Sequence, residues 1–159
     1  MLLARVNVVT PKAYLNEARA CLIDANFSTM WTLPTSKWTA HALLAFMNGA
    51  WAQAVMERTG AVMGGGALKV EATHLRRIPV PALSDQQLMR LHELGQQLAA
   101  AGNGEVEAGA LSCIDAVVVQ ALGCGSQGGS ELRAIARAGQ EQRAKHNEKR
   151  GGQNGDHVC

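Results

Sequence analysis

Gly64-Gly65-Gly66-Ala67-Leu68-Lys69-Val70-Glu71-Ala72-Thr73-His74-Leu75-Arg76-Arg77-Ile78-Pro79-Val80-Pro81 is the stretch on which the organisation of this chain turns. Three consecutive glycines separate two short apolar segments and give the backbone the freedom for a tight turn. A short strand follows the glycines. Thr73 is placed to cap a helical turn carrying His74, Arg76 and Arg77, because its hydroxyl can accept from the free donors of a first turn. Pro79 and Pro81 exclude a helix or a central strand across the exit, since each removes a backbone donor and restricts the residue before it.

Upstream of this stretch lies the strongest helical signal. From Lys37 to about Arg58, the residues Leu43, Leu44, Met47, Trp51, Ala54 and Val55 fall on one helical stripe. Thr35 or Ser36 is the expected cap and Gly60 the expected stop. Trp51, on the stripe, is expected in the core. Gly49, in the middle of the stripe, costs roughly 1 kcal/mol relative to alanine, which points to close packing of a neighbour. Before this helix, residues 2 to 9 read as a strand halted by Thr10-Pro11. Arg19 to Asp24 and Phe27 to Thr32 read as two more strands around the turn-prone Asp24-Ala25-Asn26. This small β region is expected to be a remnant of a larger sheet.

Downstream, Ser84 and Gln87 form a capping box for a helix that runs to about Ala100, with Leu88, Leu91, Gly95 and Leu98 in line. Gly102-Asn103-Gly104 breaks the chain. Glu105 to Leu122 reads as the next helix, with Val106, Ala110, Ile114, Val117, Val118 and Ala121 at helical spacing. Gly123 to Gly129 reads as a linker. Ser130 is the expected cap of a last helix with Leu132, Ile135 and Ala136 inward and Arg133, Arg137, Arg143, Lys145, Lys149 and Arg150 outward. From Gly151 the composition predicts disorder. The fold class is therefore α+β: a small N-terminal β region, a central amphipathic helix, a glycine-rich turn and a helical C-terminal half. Residues 1–123 form the main unit, 124–150 a linker and amphipathic helix, and 151–159 a tail.

A chain of 159 residues with 47% hydrophobic content can build one core. Its net charge of only +2 excludes a strongly basic nucleic-acid coat protein, so any DNA binding must come from a local patch. The four cysteines, Cys21, Cys113, Cys124 and Cys159, are scattered, without zinc-site spacing or the density of a disulfide scaffold, and read as reduced thiols. No apolar run approaches the roughly 20 residues that span a bilayer, and no signal-peptide core is present. A cytoplasmic protein without membrane contact is the expectation.

The stretch 64–81, taken with Leu43-Leu44-Ala45-Phe46-Met47-Asn48-Gly49-Ala50-Trp51, resembles the C-terminal region of adenine-specific DNA methyltransferases of restriction-modification and phage-defence systems. There a helix with an LLALLNS pattern leads to a turn of the form GGG.LKL....LRRLPVP. Ile114-Asp115-Ala116-Val117-Val118-Val119-Gln120-Ala121-Leu122-Gly123 is similar to the "ID..V...LG" helix near the end of the same proteins. The resemblance covers roughly Asp24 to Gly123. It implies a segment that belongs to, or adjoins, the part recognising the DNA target for methylation, with double-stranded DNA as a partner. Within it, Lys69, His74, Arg76 and Arg77 are the implied DNA-binding residues.

Catalysis is not expected on this chain. An S-adenosylmethionine-dependent adenine methyltransferase needs a glycine-rich strand-to-helix turn for its cofactor and an Asn/Asp/Ser-Pro-Pro-aromatic loop for the base. Neither motif occurs, and Gly64-Gly65-Gly66 lacks Gly-x-Gly-x-x-Gly spacing. The cofactor is expected on a catalytic methyltransferase chain or domain acting as partner. No histidine has metal-ligand spacing with a cysteine or carboxylate. Asp115 reads as solvent-facing or cap-like, and Trp31 and Trp38 remain open as stacking residues. Two alternatives stand beside the DNA reading: a solvated basic turn in which Arg76 pairs with Glu71, and a helical protein-interaction module without DNA binding.

Overall fold

A computed structural model describes residues 1–16, 23–101, 105–125 and 127–153. In chain order these form β1 (Leu2–Ala4), β2 (Val6–Asn7), β3 (Ala13–Tyr14), β4 (Phe27–Thr29), α1 (Ala40–Asn48), α2 (Ala50–Thr59), β5 (Ala61–Val62), β6 (Leu68–Lys69), α3 (Ala72–Leu75), α4 (Asp85–Ala100), α5 (Glu105–Ala121) and α6 (Gly128–Gln153). The architecture is α+β, with the strands gathered mostly at the N-terminal end and helices filling the C-terminal half.

The strands make two antiparallel sheets, ordered β3-β1-β4 and β2-β6-β5. The single strand expected over residues 2–9 is thus two strands in different sheets. Arg5 sits at the switch. Its N–H donates to Asn26 O at 2.8 Å, beside the first sheet, and its carbonyl accepts from Val70 N at 2.7 Å, beside the second. The expected strand over 27–32 shortens to Phe27–Thr29, entered through a turn in which Asp24 Oδ1 accepts from Asn26 N at 2.9 Å. Of the strand expected over 19–24, residues 19–22 lie outside the described residues, and Ile23 and Asp24 are not in a strand.

The long central helix is interrupted. Gly49 adopts an extended conformation, with ψ at 158°, closing α1 and opening α2. Asp115 on α5 explains the restart: its buried Oδ1 accepts from Ala50 N at 2.7 Å, so a carboxylate from another helix caps α2. A Cβ on Gly49 would stand 3.0 Å from Ile114 Cγ2 and 3.4 Å from Asp115 Oδ1, so the close packing expected there is present. Asp115 is therefore cap-like and not solvent-facing. The N-cap of α1 is Thr39, whose Oγ1 accepts from Ala42 N at 3.1 Å, and not Thr35 or Ser36. Lys37 lies outside the helix.

Asn48, the last residue of α1, ties that helix to the sheet. Its buried amide accepts from Ala13 N at 3.1 Å and donates to Ala13 O at 3.0 Å, pairing the free edge of β3 as a strand would. Ser84 and Gln87 form the expected capping box of α4. Leu88, Leu91 and Leu94 on its inner face pack toward α1, while Gly95 lets the two backbones touch. The core centres on Leu3, Phe46, Met56, Leu68, Leu91 and Ile114.

At the C-terminal end, α6 begins at Gly128, so the turn before it is shorter than the expected linker and Ser130 lies within the helix. Gly123 takes a left-handed conformation, with φ at 67°, between α5 and that turn. Gly128 packs so closely that a Cβ would stand 3.0 Å from Val119 Cγ1. Two expectations for α6 are reversed: Ile135 is exposed and Arg143 is buried. A stripe chosen by side-chain polarity alone cannot register that a carboxylate on a different helix awaits the arginine. The helix continues through Gln153, past the expected start of disorder at Gly151, and residues 154–159 lie outside the described residues. Among the described residues no helix is long and apolar enough to cross a membrane.

Candidate nucleic-acid interface

The three glycines form the tip of the β5–β6 hairpin, whose register pairs Ala61 with Lys69 and Val62 with Leu68. Met63 N donates to Ala67 O at 2.8 Å, and Gly66 alone of the three takes positive φ, at 73°. A side chain is strained there, so Gly66 is the glycine the turn requires. The tip leads back into a hairpin strand and not into a long helix, in keeping with a turn that positions backbone.

The hairpin tip is fixed from behind by Arg143. The guanidinium makes a two-point pair with Glu57 on α2, at 2.7 and 2.9 Å, and donates to Gly66 O at 2.7 Å and Val9 O at 3.3 Å. The side chains of Arg143 and Glu57 are 4% and 2% exposed. One residue of α6 thereby binds α2, the glycine turn and the loop that follows β2. Sequence periodicity had no means of finding it.

Leaving the hairpin, the chain is held at Glu71. Its Oε1 lies 3.0 Å from Arg5 Nη2 and 2.8 Å from Lys69 Nζ, and these two cations hold the carboxyl below the usual range, Lys69 contributing most. The stability this adds is complete above the unfolded carboxyl pKa and is lost as pH falls through the lowered folded value. Glu71 N donates to His74 Nδ1 at 2.9 Å, so Glu71 and not Thr73 caps α3. The pairing of Arg76 with Glu71 does not form, because Arg5 and Lys69 already occupy the carboxylate.

The four residues expected at DNA thus divide. Lys69 and His74 make internal contacts, Lys69 as an ion pair and His74 as a capping acceptor. Arg76 and Arg77 are exposed, and among the described residues neither has an acidic partner. Their backbone is nevertheless fixed: Arg76 N donates to Ala72 O, Arg77 N to His74 O and Ile78 N to Leu75 O, with Ile78 buried as the anchor. Pro79 O accepts from Trp51 Nε1 at 2.7 Å, which ties the proline exit to α2.

That bond revises Trp51, expected in the core. It is half-buried, packed on the edge of the core with its ring nitrogen spent on the exit loop. A partly exposed ring leaves less of a cavity than a fully buried one, so Trp51→Ala should cost about 1 to 3 kcal/mol in a denaturant melt, below the usual range for core tryptophan. Trp51→Phe isolates the hydrogen bond and should cost about 1 kcal/mol. A loss above about 4 kcal/mol for the alanine variant would return Trp51 to the core.

The other aromatic and titratable groups separate as clearly. Trp38 stands edge-on to Phe46, with centroids 5.5 Å apart, and belongs to the core margin. Trp31 is 76% exposed. It lines, with Thr29, Met30, Leu75 and Arg76, a hollow of about 300 Å³ beside the basic turn. His41 and His92 meet edge-on at 5.3 Å, and no cluster of metal-ligating side chains occurs among the described residues. Cys113 and Cys124 are exposed free thiols. Comparison with protein-family models, with curated proteins and with solved structures finds no match.

Proposed function

We propose that this chain is a C-terminal target-recognition segment of an S-adenosylmethionine-dependent, adenine-specific DNA methyltransferase of a restriction-modification or phage-defence system. Cofactor and catalysis reside on a catalytic chain or domain with which it acts in the cytoplasm. One observation carries the reading beyond the motif resemblance: Arg76 and Arg77 are exposed cations without an acidic partner among the described residues, on a backbone fixed by Ile78 and the Trp51–Pro79 bond. Guanidinium groups held in this way suit phosphate oxygens, which position a duplex without reading its sequence. The segment 64–81 carries Lys69, Arg76 and Arg77 against Glu71, a local charge of +2 within a chain of the same net charge.

Duplex affinity measured against salt tests the proposal. Binding should weaken linearly in log–log form, with a slope of about −0.9 for each phosphate neutralised. A binding signal indifferent to salt, or none at low salt, would remove DNA as the partner. The interaction-module reading draws on a different place, the groove of about 560 Å³ between α2, β5 and α6, where Val62 and Ile135 are exposed. With no cofactor loop in the sequence, calorimetric titration of the isolated chain with S-adenosylmethionine should give no heat of binding. Micromolar affinity would place a catalytic site on this chain.

A further inference from the structure

The hollow between Trp31 and Arg76 joins features that a solvated loop does not need. Trp31 is the most exposed of the large apolar side chains among the described residues, and it lies just beyond β4, where the chain is still tied to the sheet by Met30 N donating to Met1 O at 3.0 Å. The ring therefore projects from a held backbone. Met30 and Leu75 supply apolar lining, Thr29 a hydroxyl and Arg76 a cation without an acidic partner among the described residues. Glu71, the carboxylate nearest in sequence, is engaged by Arg5 and Lys69.

From this juxtaposition we propose that the hollow binds one unpaired nucleotide, its base stacked on Trp31 and its phosphate on Arg76. An indole face accepts any base, because every base has a π-face, and the adjacent guanidinium matches the phosphate that necessarily accompanies it. A hollow of about 300 Å³ has room for one base. A purely apolar protein side chain would leave Arg76 unused, which is why a nucleotide is the favoured occupant. The inference rests on the DNA-recognition reading and adds to it a place for one base beside the phosphate that Arg76 holds.

The test compares a fully paired duplex with the same duplex carrying a one-nucleotide bulge, using the full chain and the anisotropy of labelled DNA. Stacking of one base on an aromatic side chain predicts roughly five-fold to hundred-fold tighter binding of the bulged duplex. Trp31→Ala should abolish that preference while leaving the paired-duplex affinity in place. Trp31→Phe should retain most of it. Thermal melts of both variants should match the parent, since the ring is exposed, so a lost preference reports the site and not the fold. Equal affinity for the two duplexes, or a preference that survives Trp31→Ala, overturns the stacking site. If both duplexes bind alike with strong salt dependence, the recognition reading stands and only the stacking site falls. If neither duplex binds, both fall together. Binding of a protein to the hollow, abolished by Trp31→Ala while both duplexes bind alike, overturns the nucleotide assignment.

Discussion

Arg143→Ala should lower the stability of the chain by about 3 to 5 kcal/mol, the usual loss when one member of a buried ion pair is removed. Glu57, with its side chain 2% exposed, would be left without its counter-charge, and Gly66 O and Val9 O would lose their shared donor. Arg143→Lys should rescue little, because a point charge on a flexible stem cannot reproduce the two-point pair and the carbonyl contacts together. Arg143→Met combined with Glu57→Leu should recover most of the loss, since an apolar pair of similar volume carries no uncompensated charge. Denaturant melts of these variants are the check. A loss below about 1 kcal/mol in Arg143→Ala would show that the pair is open to solvent and that α6 does not brace the glycine hairpin.

Gly95→Ala is expected to be nearly as damaging. Alanine favours a helix interior by about 1 kcal/mol over glycine, so an unhindered site would gain stability. Here a Cβ would collide with the His41 carbonyl of α1, which is backbone and cannot swing aside. Overpacking of this kind usually costs about 1 to 3 kcal/mol, and separating two packed helices lies at the upper end or beyond. The net change should therefore be a loss of at least about 2 kcal/mol. A stabilised Gly95→Ala variant would show that α1 and α4 do not touch at this point.

These two residues show how much of the fold could be read from the chain. Gly95 was visible as a glycine on an apolar helical line, and Ser84 with Gln87 announced the helix that carries it. Local signals of that kind survive because caps and stripes depend on neighbours a few residues away. Gly49 was half legible: its close packing could be inferred, but the break it makes depends on Asp115 capping Ala50 from 65 residues further on, on another helix. Arg143 was misread for the same reason. An arginine on a polar helix reads as solvated until the fold places a carboxylate and two carbonyl groups around it. The strands were overextended because Arg5 joins two sheets, a choice made by Asn26 and Val70 and not by residues 2 to 9.

The site shows the same division. The basic turn and its proline exit were legible as a motif, whereas the assignment of each cation was not. Arg5 entered from a distant strand, took Glu71 together with Lys69, and so left Arg76 without the partner its spacing offered. His74 became a capping acceptor because Glu71, one turn earlier, supplied the N–H. Trp31 could be singled out as an aromatic but not as an exposed one beside Arg76.

The measurement that bears most directly on the proposed role is the salt dependence of duplex binding by the parent chain and by Arg76→Ala/Arg77→Ala. Both side chains are exposed, so the double variant should melt within about 0.5 kcal/mol of the parent. If the two arginines hold phosphates, affinity should fall for every duplex sequence and the salt slope should lessen by about one unit for each phosphate no longer neutralised. A single substitution that instead costs roughly 1 to 3 kcal/mol on one preferred sequence alone would show that arginine reading a guanine edge. Unchanged affinity and an unchanged slope in the double variant would take the basic turn out of the DNA interface and contradict the proposed function.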